Sequence, residues 1–240
     1  MSNSFLSSAI EKTSEEQRFD IVTNIVKMLV ERGVIKGQTL SRMINDFSDV
    51  PIDVFKTNEE RDQHAKKIAT SLLSHFKDDN TCSFTIDNPQ ENDSKNYKIV
   101  LLLDQKVANV TKSSVIADYL FKNQAEHKII VVNDINTRSR HDVIMKFPLV
   151  EVFKQSELMI NIVDHIFQPI FMVLSQDECK QMLEEYDIKK NRLPWIFVTD
   201  PISRYYKLTI GQIIRVYRYS ETSGLAVTYR IVTREIAQKK

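Results

Sequence analysis

The run from Gly211 to Thr233, GQIIRVYRYSETSGLAVTYRIVT, constrains this chain more than any other stretch. Gln212 to Tyr219 and Leu225 to Thr233 are rich in β-branched and aromatic residues. Ser-Glu-Thr-Ser-Gly between them reads as a turn, so the pair forms an antiparallel hairpin with Gly224 at the positive-φ position. Alternation places Val227, Tyr229 and Ile231 on one face of the second strand and Thr228, Arg230 and Val232 on the other. One face is expected to be core. Just upstream, Asp200-Pro201 signals a helix start: the carboxylate accepts from the free amides of the first turn, while the proline has no amide to strand.

The motifs in this region also follow a recognisable order. Leu193-Pro194-x-Ile196, Asp200-Pro201-x-x-Arg204-Tyr205, Gly211-Gln212, Arg218-x-Ser220-Glu221-Thr222-x-Gly224 and Thr228-Tyr229-Arg230-x-Val232 resemble the C-terminal domain of the fifth shared subunit of eukaryotic nuclear RNA polymerases and its archaeal counterpart. Three positions depart from that pattern. Trp195 stands where a basic residue is usual, Ile210 where a charged residue usually precedes Gly-Gln, and Tyr219 where a proline usually precedes Ser-Glu-Thr.

The resemblance implies a non-catalytic structural subunit of a multisubunit DNA-directed RNA polymerase, with no cofactor and no small-molecule substrate. Its implied partners are the largest subunit, the other polymerase subunits and downstream double-stranded DNA. Docking on the largest subunit falls to Asp200, Pro201, Arg204, Tyr205, Gly211, Gln212, Arg218, Ser220, Glu221, Thr222, Gly224, Thr228, Tyr229 and Arg230. Planar guanidinium and aromatic groups such as Arg204, Tyr205, Arg215, Arg218, Tyr219 and Arg230 suit an interface. The implied location is the nucleus or, for a copy carried by a large DNA virus, a cytoplasmic virus factory or the virion. The departures at Trp195 and Tyr219 are compatible with a viral copy.

Composition narrows the alternatives. The chain has 240 residues, 42% hydrophobic and 27% charged, with a net charge of only +1. A stand-alone DNA-binding regulator is usually basic overall, and no helix-turn-helix or zinc pattern is present. Cys82 and Cys179 lie far apart without a CxxC or a nearby His pair, which argues against a zinc site or disulfide framework and fits a reducing compartment. The N-terminal residues are too polar for a signal peptide, and no apolar run reaches membrane-spanning length.

Taken in order, Ser14-Glu15-Glu16-Gln17 has capping-box spacing ahead of an amphipathic helix carrying Phe19, Val22, Ile25, Val26 and Leu29, which Gly33 ends. A shorter helix is expected over about Thr39 to Phe47. Thr57 to Glu60 repeats the capping box before Ala65, Ile68, Ala69, Leu72, Leu73 and Phe76. His64 and His75 on that helix are expected to be ordinary helix residues, since no ligand recurs at metal spacing. Strands are expected at Cys82 to Ile86, Tyr97 to Leu103 and Ile129 to Val132. A helix started by Ser113 or Ser114 lies between the last two, so strand, helix, strand suggests a small α/β unit with a buried sheet.

The next segment places Thr137, Arg138, Ser139 and Arg140 in a loop at a strand end, a composition suited to phosphate oxygens or to plain solvation. In the family that this chain resembles, the corresponding loop of an N-terminal jaw domain faces downstream DNA; here it lacks the usual proline and is more basic. Pro148 marks the expected boundary. His165 is expected to be a hydrogen-bonded structural residue at the junction. Ser175 to Glu178 caps a helix carrying Met182, Leu183 and Tyr186. The expected fold is therefore a two-domain α+β and α/β chain. Residues 1–147 form an α/β jaw domain with a small mixed sheet, and residues 148–240 form a small α+β assembly domain with a β-hairpin, expected to fold alone from about residue 149.

A metal-dependent nuclease is the remaining alternative. Asp104 and Lys106 follow an apolar strand and resemble the carboxylate and lysine of restriction-type sites, with Asp87 as the nearest second carboxylate. Asp-x-Lys at a strand end is more often a turn, and the jaw fold of the resembled family is itself similar to a nuclease core without the active site.

Overall fold

A computed structural model describes residues 12–35, 53–74, 81–86, 96–108, 115–122, 126–165, 167–220 and 224–234. The helix expected over Thr39 to Phe47, together with His75, Asp87, Ser113, Ser114, Glu221 and Thr222, lies outside them. In chain order the elements are α1 (Ser14–Glu31), α2 (Asp53–Leu73), β1 (Thr81–Ile86), β2 (Tyr97–Val107), α3 (Val115–Phe121), β3 (His127–Ile135), α4 (Thr137–Lys146), β4 (Val150–Lys154), α5 (Gln155–Leu158), β5 (Ile170–Val173), α6 (Gln176–Glu185), β6 (Trp195–Phe197), α7 (Pro201–Tyr205), β7 (Ile213–Ser220) and β8 (Gly224–Thr233). The chain is thus mixed α+β with two small sheets. No described helix is long and apolar enough to cross a membrane.

These residues fall into two compact units that divide both long helices. The first takes α1 as far as Ile25, α2 from Ala65, and the described residues from β1 to Ile160; the second takes α1 from Val26, α2 up to His64, and the described residues from Asn161 onward.

The first unit is built on a sheet of order β1-β2-β3-β4, in which β1 runs antiparallel to β2 and the other pairs are parallel. Parallel neighbours cannot be joined by a tight turn, and the sequence supplies a helix at each crossing, α3 and then α4. The expected strand-helix-strand unit is present. Its strands read as unbroken apolar runs because both faces are covered. On one face Val100, Leu102, Ile130, Val132, Val150 and Val152 pack with Ile116 and Leu120 of α3 and Val143 of α4. The alternate residues Ile99, Leu101, Ile129 and Val131 are fully buried on the other. Each such side chain contributes about 1.5–3 kcal/mol on leaving water.

Lys128, buried at the start of β3 on the same face as Ile130 and Val132, is the exception that the alternation does not foresee. Its Nζ donates to the carbonyls of Tyr119 (2.8 Å) and Lys122, at the C-terminal end of α3, where a cation meets the unsatisfied carbonyls and the negative end of the helix dipole. Burial pushes its pKa below the usual lysine value.

Three local expectations shift in detail. The cap of α1 is Thr13, whose Oγ1 accepts from Glu16 N while Glu16 accepts from Thr13 N, one residue earlier than the sequence spacing suggests. Helix α2 begins at Asp53, so Thr57 to Glu60 lies inside it rather than at its start. Residues 21–30 of α1 are buried on every side, whereas an amphipathic helix would keep a solvated face.

Candidate docking surface

The second unit carries the motifs that the sequence singles out. Its sheet has the order β5-β7-β8-β6, with β7 antiparallel to both β5 and β8 and β6 parallel to β8. One face is covered by α6. Ser175 caps that helix, its side chain accepting from Glu178 N while Glu178 accepts from Ser175 N, and Cys179 and Met182 pack with Leu174, Leu193, Ile213 and Ile231. The Ser175 hydrogen bonds hold the Glu178 carboxyl below its usual range. Tyr186, expected on the apolar side of α6, caps its C-terminus and is exposed, touching Tyr229 edge-on at 5.7 Å.

The hairpin forms with the expected register, Ser220 opposite Gly224, and Gly224 has φ +68° as its turn requires. The expectation of one wholly buried face on β8 needs correcting. Ile231 and Val232, on opposite faces, are both buried, whereas Val227, Thr228 and Arg230 are exposed. The reason is coverage: Ile231 packs with Cys179 and Met182 of α6, and β6 pairs only with Ile231 to Thr233, so the first part of β8 has a neighbouring strand on one side alone.

Helix α7 begins as the Asp-Pro signal dictates. Asp200 Oδ1 accepts from Ile202 N at 2.8 Å and Pro201 occupies the first turn. The other end is held from far away in sequence. Arg32 donates from Nε to Tyr205 O and from a terminal nitrogen to Arg204 O, both at 2.8 Å, capping the carbonyls that a five-residue helix cannot satisfy itself.

Beside this cap lies a network of ion pairs. Arg61 meets Glu31 at 2.6 Å and Asp164 at 3.6 Å, and Lys27 meets Asp164 at 2.9 Å and also Asp62. Tyr205 and Tyr206 have buried hydroxyls, and burial, reinforced by the Glu31 carboxylate, pushes both phenols well up, so they stay neutral. The sequence expectation places the Tyr205 side chain at the surface. It is instead an internal support, and so are Asp200 as a cap and Gln212, whose Oε1 accepts from Thr209 N at 2.6 Å.

Of the expected docking residues, Pro201, Gly211, Arg218, Gly224, Thr228 and Arg230 are exposed, and Arg204 and Tyr229 are half-buried. Glu221, Thr222 and the Ser220 side chain are outside the described residues. Arg215 is half-buried over the Tyr229 ring, 5.5 Å from its centroid. Trp195 and Phe197 on β6 are more exposed than core aromatics, and neither belongs to the docking set expected from sequence, although Trp195 is one of the departures from the family pattern.

In the first unit, Thr137 to Arg140 are the opening turn of α4, not a loop. Asn136 Oδ1 caps the helix by accepting from Arg138 N at 3.3 Å. Ser139 is buried and donates to Ala108 O at 2.6 Å. Arg140 grips Glu157 with both terminal nitrogens, at 2.9 and 3.2 Å, and Glu157 also accepts from Lys154 N at the start of α5. Thr137 and Arg138 remain exposed.

Asp104 lines an open cleft of about 410 Å³ with Ser14, Gln17, Asn133, Gln155, Ser156 and Met159. Among the described residues no three His, Cys, Asp or Glu side chains could share a metal ion. His64 is exposed on α2, and His165 is exposed with its Nδ1 accepting from Phe167 N at 3.3 Å.

Residues 160–232 match the family model described as RNA polymerase Rpb5, C-terminal domain. Over 223 residues the chain is 30% identical to "DNA-directed RNA polymerase subunit 5" of Acanthamoeba polyphaga mimivirus, covering 93% of this chain and 95% of that protein. The chain belongs to the RNA polymerase subunit 5 family. It is also 29% identical over 212 residues to "DNA-directed RNA polymerases I, II, and III subunit RPABC1" of Caenorhabditis elegans, covering 87% of this chain and 92% of the relative. The Dictyostelium discoideum protein "DNA-directed RNA polymerases I, II, and III subunit rpabc1" is 27% identical over 199 residues, covering 81% and 93%. The family resemblance seen in the sequence therefore holds. Within this member of the subunit 5 family the matched segment takes in the second sheet up to Val232, while Arg32, which caps α7, and Lys27 and Arg61 of the adjoining ion-pair network lie outside it.

Proposed function

We propose that this subunit 5 family member is a non-catalytic, structural subunit of a multisubunit DNA-directed RNA polymerase. The observation that carries the reading is the match along nearly the whole of both chains. In this reading residues 148–240 form the assembly domain and dock on the largest subunit through exposed parts of the β7–β8 hairpin. Residues 1–147 form the jaw domain and lie near downstream DNA, with Arg138 offering a phosphate contact at the start of α4. The protein works wherever that polymerase transcribes: the nucleus or, for a virus-borne copy, the cytoplasmic factory or virion.

An affinity-tagged full-length chain, recovered from its source, tests this. Co-purification with large polymerase subunits and with template-dependent RNA synthesis is expected. Recovery of the chain without any polymerase subunit overturns it.

A further inference from the structure

The most unusual feature of the second unit is the side of β8 that β6 leaves uncovered. Ile231 N donates to Pro194 O, towards β6, whereas Val232 N donates to Gln212 O, towards β7, both at 2.9 Å. Backbone groups alternate sides along a strand. Ala226, Thr228 and Arg230 therefore bond to β7, and Leu225, Val227 and Tyr229 turn their N–H and C=O groups outward, in line with β6. Among the described residues nothing pairs with them, and an open row of this kind is a template for another strand.

The side chains around the edge define what can be added. The four strands β5 to β8 contain no Lys, Asp or Glu; their charged residues are Arg215, Arg218 and Arg230. By contrast, β2, β3 and β4 in the other sheet carry both signs of charge. Arginine and aromatic enrichment with Lys, Asp and Glu depleted is the composition of a protein interface rather than of a solvated face. The hairpin register puts Arg218 and Arg230 on one face, both exposed, two rows of cross-strand pairs either side of Thr228. Leu225, Val227 and Tyr229 occupy the other face, which is aliphatic and aromatic apart from Arg215 opposite Tyr229, and which Trp195 extends.

We infer that the open edge of β8 receives an extended segment of a polymerase partner chain, adding to the sheet as a fifth strand with acidic and apolar residues in alternation. This rests on the docking reading above and gives that partner a chemistry. The acidic residues of the incoming strand meet Arg218 and Arg230 through charge-assisted, bidentate hydrogen bonds. Its apolar residues lie beside Val227, Tyr229 and Trp195. Arg230 on β8 and Arg218 on β7, which reaches the edge across the small Ala226, stand roughly 13 Å apart along the strand direction, so two carboxylates about four positions apart satisfy both. A second copy of this chain is a poorer occupant, because its own β8 edge would bring more arginine and no acid. A nucleic acid would leave the open backbone row unused.

The test uses the full-length protein and a blocked peptide of alternating Glu and Val, with alternating Lys and Val as control. Val227→Pro removes an outward N–H, which an edge position tolerates, and is expected to keep the fold while weakening peptide binding roughly tenfold or more. Ala226→Pro, one residue away, removes an inward N–H and is expected to melt the hairpin. Arg218→Gln with Arg230→Gln, which leaves the backbone untouched, is expected to cost a similar factor, roughly tenfold, and to flatten the salt dependence. Amide exchange is expected to slow at Leu225, Val227 and Tyr229 in the complex. Equal binding of the Lys peptide, undiminished binding by Val227→Pro, or competition by short duplex DNA overturns the inference. So does a dimer of the wild type that Val227→Pro dissociates, which would give the edge to a second copy. In the polymerase itself, Val227→Pro is expected to fail in co-purification; failure of the wild type instead would sink the docking reading and leave the peptide result standing.

Discussion

Replacing Arg61 by Met tests how the second unit is held together. Its side chain is 6% exposed and that of Glu31 only 1%, and the two meet at 2.6 Å. Removing the cation leaves the carboxylate desolvated without its strongest partner, and breaking a buried pair from one side costs about 3–5 kcal/mol. The charge on Asp164 is less affected, because Lys27 remains 2.9 Å from it. The loss therefore falls chiefly on Glu31 and on the adjacent Tyr205 and Tyr206. At about 3 °C per kcal/mol for a chain of this length, the melting temperature should drop by roughly 9–15 °C. Trp195, the one tryptophan in the chain, belongs to the second sheet, so its fluorescence during heating reports on this unit specifically. Adding Glu31→Met should recover most of the loss, since apolar residues of similar volume often replace a buried pair without net cost. A loss below about 1 kcal/mol for Arg61→Met, or a double variant no better than the single one, would refute the argument.

Four other outcomes follow from particular residues. Gly224→Val forces a β-branched residue to φ +68°; an added Cβ meets nothing within 4 Å, so the cost is backbone strain of about 1–3 kcal/mol, read by urea melts and by weaker recovery of polymerase subunits. Arg138→Ala should leave stability unchanged and make the assembled enzyme's DNA affinity slightly less salt-dependent, by roughly one phosphate contact, whereas Arg140→Ala should lower stability by releasing Glu157. Glu178 has a folded pKa below its ordinary 4.5, so its cap stabilises the protein above that value and is lost as pH falls through the lowered one. Glu178→Gln should therefore flatten the fall in melting temperature on acidification. Finally, the isolated chain should not cleave DNA with Mg²⁺ or Mn²⁺, and cleavage abolished by Asp104→Ala would contradict this.

A fragment beginning at residue 149 bears on domain organisation. It keeps the second sheet, α6 and α7 but lacks Lys27, Glu31, Arg32 and Arg61, so the carbonyl end of α7 and the Asp164 carboxylate lose partners that the full chain supplies. It should show strand-rich circular dichroism and melt below the same residues in the intact protein. A melt no lower than that of the full chain would mean these contacts contribute little.

Much of the local structure was legible because its causes lie within three or four residues. Asp200-Pro201 and Ser175 to Glu178 fix helix starts through hydrogen bonds to their own first turns, and Gly224 fixes the hairpin through its φ. The apolar runs of β2 and β3 announced a covered sheet, and the motif order from Leu193 to Val232 announced the family. Which surface remains for a partner was not written at that range. Arg140 looks like a phosphate ligand until the fold brings Glu157 to it, and Tyr205 looks like an interface residue until its ring is found buried. Arg32 reaches α7 across about 170 residues of sequence. Period and spacing show which side chains share a face, but the elements that pack on and beside the strand decide how much of that face is covered. On β8, α6 packs on Ile231 and the three-residue β6 pairs only with the last residues, so the same alternating sequence is core at Ile231 and surface at Val227.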